Sequence, residues 1–274
     1  MRSILPLAVA VVLLAWVLAA LGDDDLDQGK KVFTDKCLRC HGARADGKGP
    51  GAKILKNKPR DLTAGIFKFR TTLADGMPSD ADLMRTVRDG LPAYGMPTFG
   101  DLSDEDIHDA IAYIKTLVAK GLVERLKEAA AKEGTPFDEA EAQQTAAERL
   151  KPGTPVVIPP EPGGADAEAA SRGEKLFNDP KRYLCATCHG PKGEGNGPQA
   201  DTLKDTWGNP IRPRDLTKQK LFRKSGWRPE DTVCRIITGI PGTPMPANPQ
   251  SVTTPEGVRE VWDIARFVES IAAK

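Results

Sequence analysis

Two stretches restrict this chain more than any others: Cys37-Leu38-Arg39-Cys40-His41 and Cys185-Ala186-Thr187-Cys188-His189. Cys-x-x-Cys-His is the spacing that attaches a c-type haem. Two intervening residues set the sulfurs about one helical turn apart. Both thiols can then add to vinyl groups along one edge of a porphyrin, and the next residue brings an imidazole to the iron. One such pentapeptide also suits a zinc site or a thiol redox site. Two of them, each followed by a glycine (Gly42 and Gly190) and by a matching downstream pattern, point to two covalently bound haem c groups. Zinc stays as the alternative.

The 274 residues suggest two domains of ordinary size. Aromatic residues make up only 5% of the chain, so two small cores would be thin unless a buried porphyrin filled each. The net charge of +1 gives no reason to expect nucleic acid as a partner. Four of the five cysteines belong to the pentapeptides, which leaves Cys234. A lone cysteine reads first as a small buried apolar residue. An axial thiolate, an intermolecular disulfide or a redox role are its other readings.

Residues 1–22 hold Arg2 and an apolar run from Ile4 to Leu21, and Asp23-Asp24-Asp25 follows. A basic start followed by an apolar run marks export, and haem c is attached outside the cytoplasm. Ala20-Leu21-Gly22 resembles a cleavage site, but the run is long for a signal core. An uncleaved transmembrane anchor is the first expectation, with the haem domains on the periplasmic side of the cell membrane. A soluble periplasmic protein after cleavage is the alternative.

The first domain is expected over 23–120. Its elements are a helix from Leu26 to Lys36, a loop containing Gly47-Lys48-Gly49-Pro50, and a helix from Asp80 to Asp89 ended by Gly90. A last helix is N-capped by Ser103 and carries an apolar stripe of Ile107, Ile111, Ile114 and Leu117. Residues 121–167 read as a linker. The first part is charged and Ala-rich, with helical stretches around Gly134-Thr135-Pro136, and the second is Pro-rich and extended. Val156-Val157-Ile158 is apolar enough to dock on a domain. Residues 168–274 repeat the first domain: Gly173 to Phe177 echoes Gly29 to Phe33, and Gly195 to Pro198 echoes Gly47 to Pro50. Arg214-Asp215-Leu216-Thr217 echoes Arg60 to Thr63, Phe222-Arg223 echoes Phe69-Arg70, and Met245-Pro246 echoes Met96-Pro97. The final helix, about Pro255 to Ala272, puts Phe267 where Tyr113 stood. The chain is thus one domain duplicated.

His41 and His189 are the proximal iron ligands on the haem reading. His108 is the sole other histidine, so two bis-histidine sites cannot be made. Met96 lies 55 residues after His41 and Met245 lies 56 after His189, each in a Gly/Pro-rich loop. These two are the expected distal ligands. Met77-Pro78 is the rival in the first repeat, although the second repeat has no methionine there. A thioether ligand raises the reduction potential relative to bis-histidine ligation. Two filled axial positions leave no open site for substrate.

With these motifs, the chain resembles class I c-type cytochromes in a tandem dihaem form, over about 26–119 and 168–272. The resemblance implies an all-α protein of two cytochrome c-like helical domains, joined by the linker and preceded by the hydrophobic helix. It implies that an N-terminal helix crosses a C-terminal one, Gly29 and Phe33 meeting Tyr113, and Gly173 and Phe177 meeting Phe267. It implies that the Pro50 and Pro198 carbonyls accept from the proximal histidine rings. Arg60, Arg70, Arg214 and Arg223 become candidates for the haem propionates. The expected role is one-electron transfer in a respiratory chain, between redox partner proteins whose identity is open. The alternatives are a dihaem enzyme of peroxidase or thiosulfate-oxidising type, and a haem subunit of a larger membrane oxidoreductase.

Overall fold

The computed structural model describes residues 23–163, 166–221 and 225–272. The hydrophobic segment expected at 1–22, and Arg223, lie outside the described residues. Among the described residues all regular structure is helical, and β-pairing is confined to isolated bridges. No helix among them is long and apolar enough to cross a membrane.

The chain packs into two compact units that do not coincide with the two repeats. One takes the chain to Ile66, Asp75–Arg88 and Phe99–Gly153; the other takes Phe67–Ala74, Asp89–Thr98 and the chain from Thr154. Two short pieces of the first repeat therefore belong with the second. The cause is backbone pairing and a small apolar cluster. Leu73 N donates to Thr154 O and Val156 N to Thr71 O, both at 2.8 Å. Phe69 and Leu91 are buried together with Tyr94, Met96, Trp227 and Ile240 packed against them.

In the first unit, α1 (Asp23–Val32) continues through a π-helical turn at Phe33–Cys37 into α2 (Leu38–His41). Then come α3 (Asp80–Asp89), α4 (Asp104–Glu133) and α5 (Glu139–Leu150). The Ser103 hydroxyl caps α4, accepting from Asp106 N at 3.0 Å. This helix runs far into the stretch expected as linker, until Gly134 ends it at φ 68°. Residues 121–153 pack on the first unit through small side chains rather than a wide apolar face. A Cβ at Gly121 would lie 2.4 Å from the Thr63 Cβ. Ala142 and Ala146 of α5 are buried, and Arg125 pairs with Asp61 at 2.6 Å. Met77 is buried, and its backbone pairs with Lys151 O and Gly153 N, each at 2.8 Å.

The second unit contains α6 (Ala169–Asn178), α7 (Cys185–His189), α8 (Pro229–Thr238) and α9 (Pro255–Ala272). Val233, Ile237, Val261, Trp262 and Ala265 form its core, and Val156 and Ile158 of the Pro-rich strand pack on it. The Trp262 indole N–H donates to Pro159 O at 3.0 Å. Val157 points out to solvent, as alternation along an extended chain requires.

The helix crossing implied by the resemblance is present in both units. A Cβ on Gly29 would come 2.1 Å from Asp109 O, and one on Gly173 would come 1.9 Å from Asp263 O. Only glycine permits backbones so close. One turn on, Phe33 meets Tyr113 at 5.6 Å and Phe177 meets Phe267 at 5.1 Å, both tilted by 58°.

Candidate cofactor sites

Each pentapeptide is a short helix wrapped by the loop that follows it. Gly47 N donates to His41 O at 2.9 Å and Gly49 N to Cys40 O at 3.2 Å. Gly195 N and Gly197 N repeat these bonds to His189 O at 2.8 Å and Cys188 O at 3.0 Å. A Cβ at Gly49 would lie 2.4 Å from Arg39 O, and one at Gly197 would lie 2.5 Å from Ala186 O and Thr187 O. The loop closes because those positions carry no side chain. The approach to the pentapeptide differs. The first repeat enters through its π-helical turn. The second leaves α6 and turns at Leu184, which is exposed and has φ 58°.

Burial sets the chemistry of these groups. It pushes the Cys37 thiol up to about 11, with the neighbouring Cys40 adding to the effect. It pushes Cys185 up to about 12 and raises Cys188 as well. Burial lowers both imidazoles, opposed by the carbonyls of Arg60 at His41 and Arg214 at His189. The histidines are therefore held neutral, the form that ligates a metal. Among the described residues no two cysteines form a disulfide.

His189 Nδ1 lies 3.1 Å from Arg214 O. That contact fixes the ring and leaves Nε2 to face a metal. This corrects the expected acceptor: Pro198 is not the partner, and neither is Pro50 at His41. Pro50 instead opens a 3-10 turn, Pro50–Ile54. The reason is that the glycine loops lie against Pro59-Arg60 and Pro213-Arg214, which brings the arginine carbonyls beneath the rings. His41 Nδ1 is buried with no hydrogen-bond partner, and the nearby Arg60 carbonyl only partly offsets the lowering that burial imposes on the ring.

Both methionine loops are pinched in the same way. Leu91 N donates to Met96 O at 2.9 Å, and Ile240 N donates to Met245 O at 3.2 Å. Met96 and Met245 are each half-buried. Met245 lines one cavity together with His189, Cys185 and Cys188. Phe177, Leu216, Ile264 and Val268 give that cavity apolar walls. Among the described residues every charged side chain on it is basic (Lys68, Arg212, Arg214 and Arg235), and no carboxylate lines it. A flat apolar group with its own carboxylates, such as haem, fits this donor set. Zinc does not, because among the described residues no three His, Cys, Asp or Glu side chains come together.

The other predicted residues fall into place unevenly. Arg214 is on the cavity wall. Arg60 donates to Ile66 O at 3.3 Å. Arg70 is buried, and its Nε bonds Thr72 O at 2.8 Å rather than facing the cavity. His108 is exposed beside Asp109. Cys234 is buried in α8, with Sγ 3.4 Å from Arg70 O. Arg235 was missed. It is 8% exposed, lines the cavity and keeps Nη1 buried with no hydrogen-bond partner. The first repeat has Thr86 there, so repetition gave no signal.

Fold and sites together define a tandem helical protein that binds haem through two attachment pentapeptides. Two family models match the chain: cytochrome c oxidase, cbb3-type, subunit III over residues 24–114, and cytochrome c over 170–272. Cytochrome c6 of Thermosynechococcus vestitus is 35% identical over 121 residues, which span 44% of this chain and 95% of that protein. Cytochrome c6 of Thermostichus vulcanus is 34% identical over the same shares. Among solved structures, a chain of the reducing HAO-like protein complex of Kuenenia stuttgartiensis superposes with a TM-score of 0.71 at 28% identity. That match covers 89% of this chain and 95% of the other. The chain belongs to the cytochrome c family; it carries two covalently bound haem c groups and serves haem-based electron transfer.

Proposed function

We propose that this protein is a dihaem electron carrier, not an enzyme, with one haem ligated by His41 and Met96 and the other by His189 and Met245. The observation that carries this is the repeated pinch that presents each methionine from irregular backbone, Met245 in the same cavity as His189. When bound, each haem supplies an iron that gains and loses one electron. The chain's own residues do the rest. Cys37, Cys40, Cys185 and Cys188 would tether the group, and the neutral imidazoles of His41 and His189 would ligate its iron. Met96 and Met245 would supply the second ligand to each iron. Soft sulfur ligation favours the reduced iron and a raised potential.

The place of action is outside the cytoplasm, on which covalent haem attachment and the apolar export segment at 1–22 agree, and one-electron transfer there suits a respiratory chain. An uncleaved segment would tether the protein to the membrane. A second reading, a haem subunit of a larger oxidoreductase, is favoured by the extent of the match to one chain of a multi-protein complex.

Optical spectra of Met96→Ala and Met245→Ala variants test the ligand set. Each variant is expected to lose about half of the weak red iron–sulfur band. A variant that keeps the whole band removes its methionine from the assignment.

A further inference from the structure

The cavity at His189 is not built from the second repeat alone. Lys68, Phe69 and Tyr94 of the first repeat form part of its wall. Arg235 is held from that side: Nη2 donates to Arg70 O and lies 3.0 Å from Cys234 Sγ, and the guanidinium is 5.7 Å from the Phe69 ring centre. Its Nη1 stays buried with no hydrogen-bond partner. Arg214, on the same wall, shares a side-chain hydrogen bond with Tyr94. Lys68 Nζ sits 4.4 Å over the Tyr94 ring. A buried guanidinium with an unused N–H is costly unless an anion meets it. Among the described residues no carboxylate lines the cavity, so the anion arrives with the cofactor.

Resting on the haem reading above, we propose that Arg235, positioned by Phe69 and the Arg70 carbonyl, and Arg214, positioned by Tyr94, seat the acidic side groups of the haem at Cys185 and Cys188. The first repeat then sets the potential of the second haem. A fixed cation near the iron favours the reduced state, which carries one positive charge fewer. Arg70 enters this site as a backbone acceptor rather than as a guanidinium, and the buried cation comes from α8. The two haem sites are therefore not independent modules, although their sequences are tandem copies.

The experiment is a spectroelectrochemical titration of the full-length holoprotein, with haem per chain measured first. Absence of haem at Cys185 and Cys188 would overturn the haem reading itself. With both haems present, Arg235→Leu is expected to lower the potential of one haem by about 59 mV, a tenfold shift in a one-electron equilibrium. Arg235→Lys recovers most of that shift. Tyr94→Phe moves the same haem in the same direction by less. The haem that moves is the one whose potential also responds to Met245→His. An unchanged potential in Arg235→Leu, or a shift in the other haem, overturns the proposal. If Arg235→Leu does not retain its haem, an unchanged potential in Tyr94→Phe overturns it.

Discussion

Gly29 and Gly173 occupy the same place in their repeats, and each lets a first helix cross a last helix at backbone contact. The polar groups around the two crossings differ. In the first unit Gln28 bonds Asp106 at 2.8 Å, and the buried Asp109 has the half-exposed His108 beside it. In the second unit Arg172 grips the buried Asp263 through Nε and Nη2, at 2.8 and 2.7 Å. Burying a carboxylate demands a partner, and the second unit meets that demand with a cation. The features the repeats share are those that backbone approach dictates: glycines at the crossing, a tilted ring pair one turn on, and glycines in the loop that wraps each pentapeptide. The features that differ are side-chain charges, which geometry leaves free.

This comparison can be broken most sharply at the rings. Phe33→Ala and Phe177→Ala remove fully buried rings, and each is expected to cost roughly 3–5 kcal/mol in denaturant unfolding. Phe177 also lies 6.3 Å from the His189 ring, so its loss should also disturb the spectrum of a haem. Gly29→Ala and Gly173→Ala come next, at about 1–3 kcal/mol each from overpacking against the opposing carbonyl. The tighter Gly173 site should be the more affected. Ser103→Ala and Thr254→Ala remove hydroxyls that accept from Asp106 N and Gly257 N, at 3.0 and 3.1 Å. Thermal unfolding should register about 1 kcal/mol for each lost cap. The smallest effect is at the Pro-rich strand, where Arg266 pairs with Glu161 at 2.8 Å. Glu161→Gln should cost about 0.5 kcal/mol and be sensitive to salt. Arg266 holds the Glu161 carboxyl below its ordinary 4.5. The pair's contribution is thus present above about that pH and is lost as pH falls through the lower folded value.

Much of this was legible in the residues. The pentapeptides announced their cofactor, and the repeat located the methionine loops by spacing. The α3 and α9 helices run as read, Asp80–Asp89 and Pro255–Ala272, because Gly90, Pro255 and the apolar stripes mark their ends. The first helix includes Asp23, Asp24 and Asp25, upstream of the Leu26 start read from the sequence. Residues 121–150 were less legible. A search for a wide apolar stripe overlooks Gly121, Ala142 and Ala146, which bury little area each but allow close packing. The regrouping of Phe67–Ala74 with the second repeat rests on backbone bonds to Thr154 and Val156, of which side-chain patterns carry no trace, and Asp89–Thr98 joins it through the Phe69 and Leu91 cluster. The Arg214 carbonyl and the Arg235 guanidinium were hidden for a similar reason. The first is a backbone acceptor and the second occurs in one repeat alone.

The central claim is that both irons are closed by a histidine and a methionine and exchange single electrons. A potentiometric titration of the full-length protein, followed optically, tests it most directly. The account predicts two haems per chain, two one-electron steps and low-spin spectra in both oxidation states. A single haem per chain, or a high-spin haem that readily binds carbon monoxide when reduced, would contradict it.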